Sequence, residues 1–269
     1  MALAETLRTL HVEKPWGRKH LPAPFNTPSG RVVGEIWFDP PADAQELLLK
    51  YIFTSDKLSV QVHPNDEQAR ASGMGRKGKD ECWYVLDAEP GAVLGIGFKA
   101  PVSSDEMRRA AEDGSIMDLL QWHPIRSGDF FHIPANTVHA IGAGVSIIEI
   151  QQNSDTTYRL YDYGRPRDLH LDDALAVACG RPHAPSQRRH VEDTGSLQLI
   201  DGPYFRLWRM DGSAPDGQLA ISGRAFVLPY RGHALIGSER VETGQCALVH
   251  DVRNISFAQG ALGFVAQPA

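Results

Sequence analysis

The chain has 269 residues, enough for one large or two ordinary domains, and its 42% hydrophobic and 22% charged residues are typical of a globular protein. The 33 acidic residues outnumber the 27 Lys and Arg residues, and the formal net charge of -6 argues against nucleic acid or an anionic membrane as a partner. No apolar run approaches the roughly 20 residues of a membrane helix, and charges interrupt the N-terminal sequence where a signal peptide would be apolar. We therefore expect a cytoplasmic protein.

Short apolar runs separated by 25 Gly and 18 Pro predict a mainly β protein. The predicted strands have the spacing of a sandwich or jelly roll and cover residues 47–54, 58–63, 82–87, 92–98, 129–133, 145–151 and 158–163. Short helices are predicted over 66–71, 104–114 and 171–178, the second beginning at Ser104 and ending at Gly114. A further short helix is predicted after Ser115, which has the spacing of a capping box with Asp118.

A domain boundary is predicted in RPHAPSQRRH, residues 181–190, where proline and basic residues replace the apolar pattern. This boundary divides the chain into a larger domain at 1–185 and a smaller β domain at 190–269. The smaller domain contains short apolar segments and glycine turns without a cluster of reactive residues, so we expect it to be structural.

Two predicted strands bring polar side chains to one face. In LSVQVHPND, alternation places Ser59, Gln61 and His63 on one side of the strand, and in GKDECWYVL it groups Lys79 and Glu81 with an aromatic neighbour. For the first strand alone, the favoured interpretation is an antiparallel strand with its polar face in water. For the second, a surface Lys and Glu pair would be ordinary.

A third segment, GDFFHIPANTVHAI, has a more specific spacing. Its glycine, proline and His139 fit the second cupin motif, G-x5-P-x-G-x2-H, with Asn136 in place of the last glycine. Asn tolerates the left-handed backbone conformation better than most residues, so this replacement is mild. His132 lies at the wrong offset and is expected to be structural.

Gln61, His63, Glu81 and His139 together could hold one divalent first-row metal and leave a coordination position for water or substrate. Nitrogen and oxygen ligands without a thiolate favour zinc, although iron, manganese or cobalt would also be accepted. The two histidines and the carboxylate are equally the ligand set of a non-haem iron oxygenase.

The segment after His139 adds charged candidates. If residues 155–161 are extended, Asp155, Arg159 and Tyr161 share a face, which would add a carboxylate and a guanidinium to the site. The alternative is that Arg159 pairs with a neighbouring aspartate at the strand end. Glu149 lies on another strand that could face the pocket.

Five segments in order resemble the type I phosphomannose isomerases in their short bacterial form: KPWG at 14–17, SVQVHPND, GKDECWY, PANTVHAIG and DTTYRLYDYGR. The resemblance covers about the first two-thirds of the chain. It implies a cupin-type jelly roll with inserted helices, followed by a smaller β domain. It also implies one zinc ion and interconversion of mannose 6-phosphate and fructose 6-phosphate through an enediol.

The resemblance assigns roles to individual residues. The zinc ligands that it implies are Gln61, His63, Glu81 and His139, the substrate-binding residues are Ser59, Lys79 and Arg159, and the catalytic residues are Lys79, Asp155 and Arg159. The proton-transferring base stays open among Lys79, Asp155 and a metal-bound water. Two other functions also stay open: a cupin oxygenase, and a sugar-phosphate-binding module without turnover.

Overall fold

The computed structural model describes residues 3–73, 75–212 and 223–269. Strands of these residues form sheets of seven, six, five and three strands. Their bounds are β1 Ala4–Thr6, β2 Arg8–Arg18, β3 Val33–Asp39, β4 Leu47–Phe53, β5 Val60–Val62, β6 Glu81–Ala88, β7 Val93–Phe98, β8 Leu120–Pro124, β9 Asp129–Ile133, β10 His139–Ile141, β11 Val145–Gln152, β12 Tyr158–Tyr161, β13 Arg188–His190, β14 Leu197–Asp201, β15 Phe205–Asp211, β16 Ala225–Arg231, β17 His233–Ile236, β18 Glu239–Glu242, β19 Ala247–Val249, β20 Ile255–Phe257 and β21 Leu262–Pro268.

The helices are short: α1 Asp66–Ala71, α2 Ser104–Asp113, α3 Ile116–Leu119 and α4 Leu171–Val177, with single 3-10 turns at Pro185–Gln187 and Val252–Asn254. Helix α2 begins at Ser104 as predicted, Ser103 caps it, and Gly114 ends it in the left-handed conformation at φ 84°. The capping box predicted at Ser115 is wrong. The backbone of Ser115 is helical rather than extended, and its side chain accepts no capping hydrogen bond.

The seven-stranded and five-stranded sheets pack face to face. Their strand orders are β13-β9-β6-β11-β4-β3-β2 and β12-β5-β10-β7-β8, with antiparallel pairing between neighbours. Ile52, Val85 and Ile147 from the larger sheet join Leu94 and Ile96 from the smaller one in a single buried cluster. This sandwich confirms the predicted mainly β fold of jelly-roll type.

The helices cover the outer face of the five-stranded sheet. Val60 and Val62 of β5 are fully buried there in a cluster with Met107 and Ala110 of α2 and Ala174 of α4. This apolar face uses alternate residues of β5, so the residues between them point to the other face, toward the seven-stranded sheet. The predicted alternation of this strand is confirmed.

The six-stranded sheet packs on the other side of the seven-stranded sheet. Tyr51 and Ile148 lie in one buried cluster with Leu207, Phe226 and Phe264 of the six-stranded sheet, whose order is β1-β19-β16-β21-β15-β14. The three-stranded sheet, β18-β17-β20, covers its far face. Strand β1 pairs with β19 and strand β13 with β9, so sheets on the two sides of the predicted boundary share strands.

The backbone makes a close approach to itself at Gly78, just before strand β6. A Cβ on Gly78 would lie 2.4 Å from the carbonyl carbon of Asn65 and 2.5 Å from the carbonyl oxygen of Pro64. The same carbonyl of Pro64 accepts the Lys79 amide at 2.9 Å. The chain therefore approaches itself too closely here for any side chain.

Gly78→Ala is expected to lower the free energy of unfolding by roughly 1–3 kcal/mol, because the backbone of 64–65 must move to admit the methyl group. Urea unfolding of the zinc-loaded protein measures the change. Gly75→Ala, in the same loop but with its nearest atom 3.9 Å from the added Cβ, is the control and should be near neutral. Equal stability of both variants would contradict the tight approach.

Candidate metal centre

The site lies between the five-stranded and seven-stranded sheets, and each sheet contributes to it. In the five-stranded sheet, Gln61 of β5 is the cross-strand neighbour of His139 of β10, and His63 follows β5 directly. Glu81 begins β6 in the facing sheet. The left-handed Asn136, at φ 74°, forms the turn before His139, as its place in the motif predicts.

His63, Glu81 and His139 are buried, and each offers one ligand atom to a group whose members lie within 4.8 Å of one another. The Nε2 atoms of His63 and His139 are 3.7 Å and 3.4 Å from Glu81 Oε1. The Nδ1 atom of each imidazole lies 2.9 Å from a carbonyl oxygen, that of Thr156 for His63 and that of Thr137 for His139. A carbonyl can only accept, so Nδ1 carries the proton and Nε2 presents its lone pair to the site.

The charge state of these groups suits a cation. Burial, and then the Lys79 ammonium, lower the pKa of both imidazoles, to about 4 for His139, so they are neutral near pH 7. Burial, and then the Glu149 carboxylate, raise the pKa of Glu81 to about 8, so a cation beside Glu81 is needed to keep it ionised at neutral pH. Within the described residues, neither carboxylate oxygen of Glu81 has a hydrogen bond of normal geometry, although Lys79 Nζ is 2.6 Å from Oε2. A buried carboxylate with an oxygen that has no hydrogen-bond partner fits a divalent metal beside two imidazole nitrogens.

Gln61 lies beside this group with its amide nitrogen toward it. Gln61 Nε2 is 3.2 Å from His139 Nε2, and Gln61 Oε1 accepts a hydrogen bond of 3.2 Å from the Ser59 hydroxyl. A half-turn of the amide would exchange its nitrogen and oxygen, because the two have nearly the same shape. Gln61 and Ser59 are therefore next to the cluster, and their roles as ligand and substrate contact stay predictions.

A row of buried charges continues from Lys79 across the seven-stranded sheet. Glu149 Oε1 lies 3.4 Å from Lys79 Nζ and 2.8 Å from Lys50 Nζ, and Glu149 Oε2 accepts a hydrogen bond from the Trp83 indole. Lys50 also lies 3.6 Å from Glu35. Burial alone would raise the pKa of Glu149, but the two ammonium groups and these hydrogen bonds lower it.

Lys50 and Glu35 belong to this row of charges but are not predicted from the sequence. The only available signal was a single lysine inside the otherwise apolar strand LLLKYIF, where a charged side chain is buried only if it is paired. In the structure Lys50 and Trp83 are the cross-strand neighbours of Glu149 on its two sides. All three side chains therefore belong to one face of the sheet.

Arg159 of β12 is the cross-strand neighbour of Gln61, so Arg159, Gln61 and His139 follow one another across three adjacent strands. Arg159 is half-buried and donates a hydrogen bond of 3.4 Å to the Asp168 carbonyl. Among the described residues it has no ion pair, because Asp162 is paired instead with Arg165 and Arg167. The alternative in which Arg159 pairs with a nearby aspartate is therefore wrong.

Two other predicted neighbours are placed differently. A register shift between Arg159 and Tyr161 brings Tyr161 opposite Val60, on the apolar face covered by the helices, so it does not share the face of Arg159. Asp155 precedes β12 in an exposed coil. Within the described part of the chain, no hydrogen bond or ion pair joins Asp155 to the other candidate residues, and its catalytic role stays a prediction.

His132 lies in the same motif as His139 but has a different partner. Its Nε2 is 2.8 Å from the Asp80 carboxylate, and its cross-strand neighbour is Cys82 rather than Glu81. The side chain therefore belongs to the opposite face of the sheet from the ligand cluster.

The curated relatives found by sequence comparison are described as mannose-6-phosphate isomerases, some of them as probable or putative. The chain is 34% identical over 237 residues to a protein described as probable mannose-6-phosphate isomerase GmuF of Bacillus subtilis, a match that covers 79% of this chain and 71% of that one. Matches to the first three curated relatives cover 58%, 71% and 64% of their lengths, so the chain spans about two-thirds of the relatives it matches. No protein-family model matches.

Solved structures show the same architecture. The mannose 6-phosphate isomerase of Bacillus subtilis superimposes with a TM-score of 0.79 at 23% identity, over 99% of this chain and 100% of the other. A zinc-bound mannose 6-phosphate isomerase superimposes with a TM-score of 0.73 at 15% identity, over 98% and 99% of the two chains. Fold and site together define a cupin-type protein with a buried histidine and carboxylate cluster.

The chain belongs to the mannose-6-phosphate isomerase family, as the resemblance of its motifs predicts. In the described residues no helix is both long and apolar enough to cross a membrane.

Proposed function

We propose that this protein is a zinc-dependent isomerase that interconverts mannose 6-phosphate and fructose 6-phosphate. The observation that carries the proposal is the buried cluster of His63, Glu81 and His139, in which His139 lies two strands away from Arg159 on one face of the five-stranded sheet. Membership of the mannose-6-phosphate isomerase family and the zinc-bound structural relative support it.

Zinc would be held by His63, Glu81 and His139, with Gln61 as the fourth ligand after its amide turns. Two neutral imidazoles and one carboxylate are a usual ligand set of catalytic zinc. A bound zinc ion supplies Lewis-acid polarisation of the sugar oxygens. Glu81 Oε1 supports this assignment, because it faces both imidazoles and has no hydrogen-bond partner in the described structure, so a cation there would compensate its charge. Glu81 Oε2 is already paired with the Lys79 ammonium.

The reaction moves one proton between C2 and C1 of the sugar, and negative charge develops on the neighbouring oxygens in the enediol-forming step. We assign the stabilisation of this charge to the guanidinium of Arg159. Lys79 is assigned to bind a substrate oxygen near Glu81, with Ser59 as a further hydrogen-bond donor. The proton-transferring base stays open among Lys79, Asp155 and a metal-bound water, and comparing Lys79→Met with Asp155→Asn would separate the two side chains.

A phosphorylated substrate suits the guanidinium of Arg159. Arg159 has no ion pair among the described residues, whereas Lys79 and Lys50 are already paired with buried carboxylates, and a sugar phosphate brings a dianion. This arrangement supports the isomerase over an oxygenase built on the same histidines and carboxylate. It does not by itself separate an isomerase from a binding module that lacks turnover.

A coupled isomerase assay with mannose 6-phosphate tests the proposal. Turnover should appear in the zinc-loaded protein, disappear after chelation and return when zinc is added back. Turnover that requires dioxygen would support the oxygenase. Saturable binding of mannose 6-phosphate without any isomerisation would support the binding module.

We also propose that the chain has a metal-binding domain at 1–185 and a structural β domain at 190–269. His233→Ala and His250→Ala should leave turnover within a few-fold of wild type, because the proposed metal ligands and substrate contacts all lie between Ser59 and Arg159. Steady-state kinetics with metal content determined on the same samples checks this. Loss of isomerisation in either variant, folded and fully metallated, would contradict the structural role.

A further inference from the structure

The turn before His139 contains one residue that departs from the cupin motif, because Asn136 stands where the motif has its last glycine. The backbone there has a positive φ of 74°, which glycine adopts more readily than any other residue. The conformation alone therefore does not explain an asparagine. What distinguishes asparagine from glycine at this position is a carboxamide that makes two hydrogen bonds.

The Asn136 carboxamide connects the two segments that carry the histidine ligands. Its Nδ2 donates to Gln68 Oε1 at 2.7 Å and, over a longer distance of 3.4 Å, to the carbonyl oxygen of His63. The backbone N–H of Asn136 donates to the same His63 carbonyl at 2.8 Å. The next residue, Thr137, provides the carbonyl oxygen that orients the His139 ring. The turn at 136–137 is therefore bonded to the His63 segment on one side and to His139 on the other.

A backbone donor determines how both amides are oriented. Gln68 Oε1 also accepts a hydrogen bond of 2.9 Å from the Asn65 N–H, within the capping box that begins helix α1. A backbone N–H can only donate, so the Gln68 atom that faces it must be the oxygen. The Asn136 atom that lies 2.7 Å from this oxygen must then be the nitrogen. Because Asn65 follows His63 by two residues, this capping box holds the chain directly after a ligand.

We infer that Asn136 is a positioning residue for the metal centre, and that its carboxamide holds the His63 and His139 segments together before zinc binds. This inference rests on the proposed zinc site. Ligands that are already in place lose less conformational freedom when the metal binds, so the affinity for zinc is higher. A carboxamide that stabilised the chain equally with and without zinc would affect the melting temperature but not the affinity for zinc.

Asn136→Gly removes the carboxamide and leaves the positive φ unstrained, since glycine adopts it freely. Competition between the full chain and a chromophoric chelator should give a zinc Kd about tenfold higher than that of wild type. Asn153→Gly is the matched control. The Asn153 carboxamide also donates to a glutamine oxygen, that of Gln45 at 2.8 Å, and its backbone N–H donates to the Glu46 carbonyl. Neither partner belongs to a ligand segment, so this variant should keep the wild-type zinc Kd.

Variants of Gln68 test the same connection from helix α1. Gln68→Glu keeps an oxygen that can accept from both Asn136 and Asn65, so its zinc Kd should stay near the wild-type value. Gln68→Met removes this acceptor and should raise the Kd. Because Asn136 and Gln68 act through one shared hydrogen bond, Gln68→Met should change the Kd much less in the Asn136→Gly background than in the wild type.

A wild-type zinc Kd in Asn136→Gly, or additive effects of Asn136→Gly and Gln68→Met, would overturn the inference while the proposed function stands. Absence of zinc binding by the wild-type chain would overturn the proposed function together with the inference. If Asn136→Gly does not fold, the Gln68 variants decide. Weaker zinc binding by Gln68→Met than by Gln68→Glu supports the inference, and equal binding by the two overturns it.

Discussion

His139→Ala is expected to release most of the bound zinc and to lower isomerase turnover at least about 100-fold, while the β fold remains. The Nε2 atom of His139 is one of three buried ligand atoms in the cluster, and its ring is oriented by the Thr137 carbonyl. Even residues that only support a metal ligand typically contribute 10- to 100-fold in affinity or activity, by order of magnitude, so the loss of a ligand should exceed this. Elemental analysis, the coupled isomerase assay and circular dichroism measure the three outcomes.

The matched control is His132→Ala. His132 lies in the same sequence motif, but its partner is Asp80 and its neighbours are on the other face of the sheet. This variant should keep one zinc per chain. His63→Ala should behave like His139→Ala. Full zinc occupancy in both His63→Ala and His139→Ala would exclude the proposed centre.

Comparing the wild type with His139→Ala also tests how much bound zinc stabilises the folded chain. Zinc binds the folded chain preferentially, so its removal should lower the melting temperature of the wild-type protein. In His139→Ala, chelation should change the melting temperature much less, because little zinc is bound at the start. Thermal unfolding with and without chelator gives both values. An equal effect of the chelator on the two proteins would place the stabilising metal at another site.

The two ligand strands could be predicted from the sequence because strand alternation is a local property. Val60 and Val62 are buried under the helices, so Gln61 must point the other way, and the same period of two separates Glu81 from Cys82. The turn before His139 was also locally determined, since Asn136 tolerates its positive φ. Short-range patterns of this kind do not depend on which strands pair in the sheet.

Features that depend on distant pairing could not be predicted in the same way. Lys50 becomes a buried partner of Glu149 only because β4 and β11 pair in this register. The two residues are 99 positions apart in the sequence. The sharing of strands across the predicted boundary, with β1 beside β19, depends equally on the whole topology. The register shift before Tyr161 reverses a face that strict alternation assigns, because a bulge adds one residue to the strand.

Arg159→Ala is expected to lower kcat roughly 100- to 1,000-fold, the usual loss when one donor to a developing negative charge is removed. Zinc content and melting temperature should stay near wild type. Arg159 is half-buried, is not itself in the ligand cluster and has no ion pair among the described residues, so its removal breaks only the hydrogen bond to the Asp168 carbonyl. Kinetics on samples of known zinc content measure the effect.

The two variants at Arg159 separate charge from geometry. Arg159→Lys keeps the positive charge but loses the planar fork that can reach two oxygens, so its turnover should lie between those of Arg159→Ala and the wild type. Arg8→Ala, which breaks an exposed ion pair with Asp39 on the seven-stranded sheet, is the control for removing an arginine and should leave kcat unchanged. Wild-type kcat in a zinc-loaded Arg159→Ala protein would reject the role of Arg159. If kcat is unchanged and only KM rises, the guanidinium binds the ground state and the transition state equally.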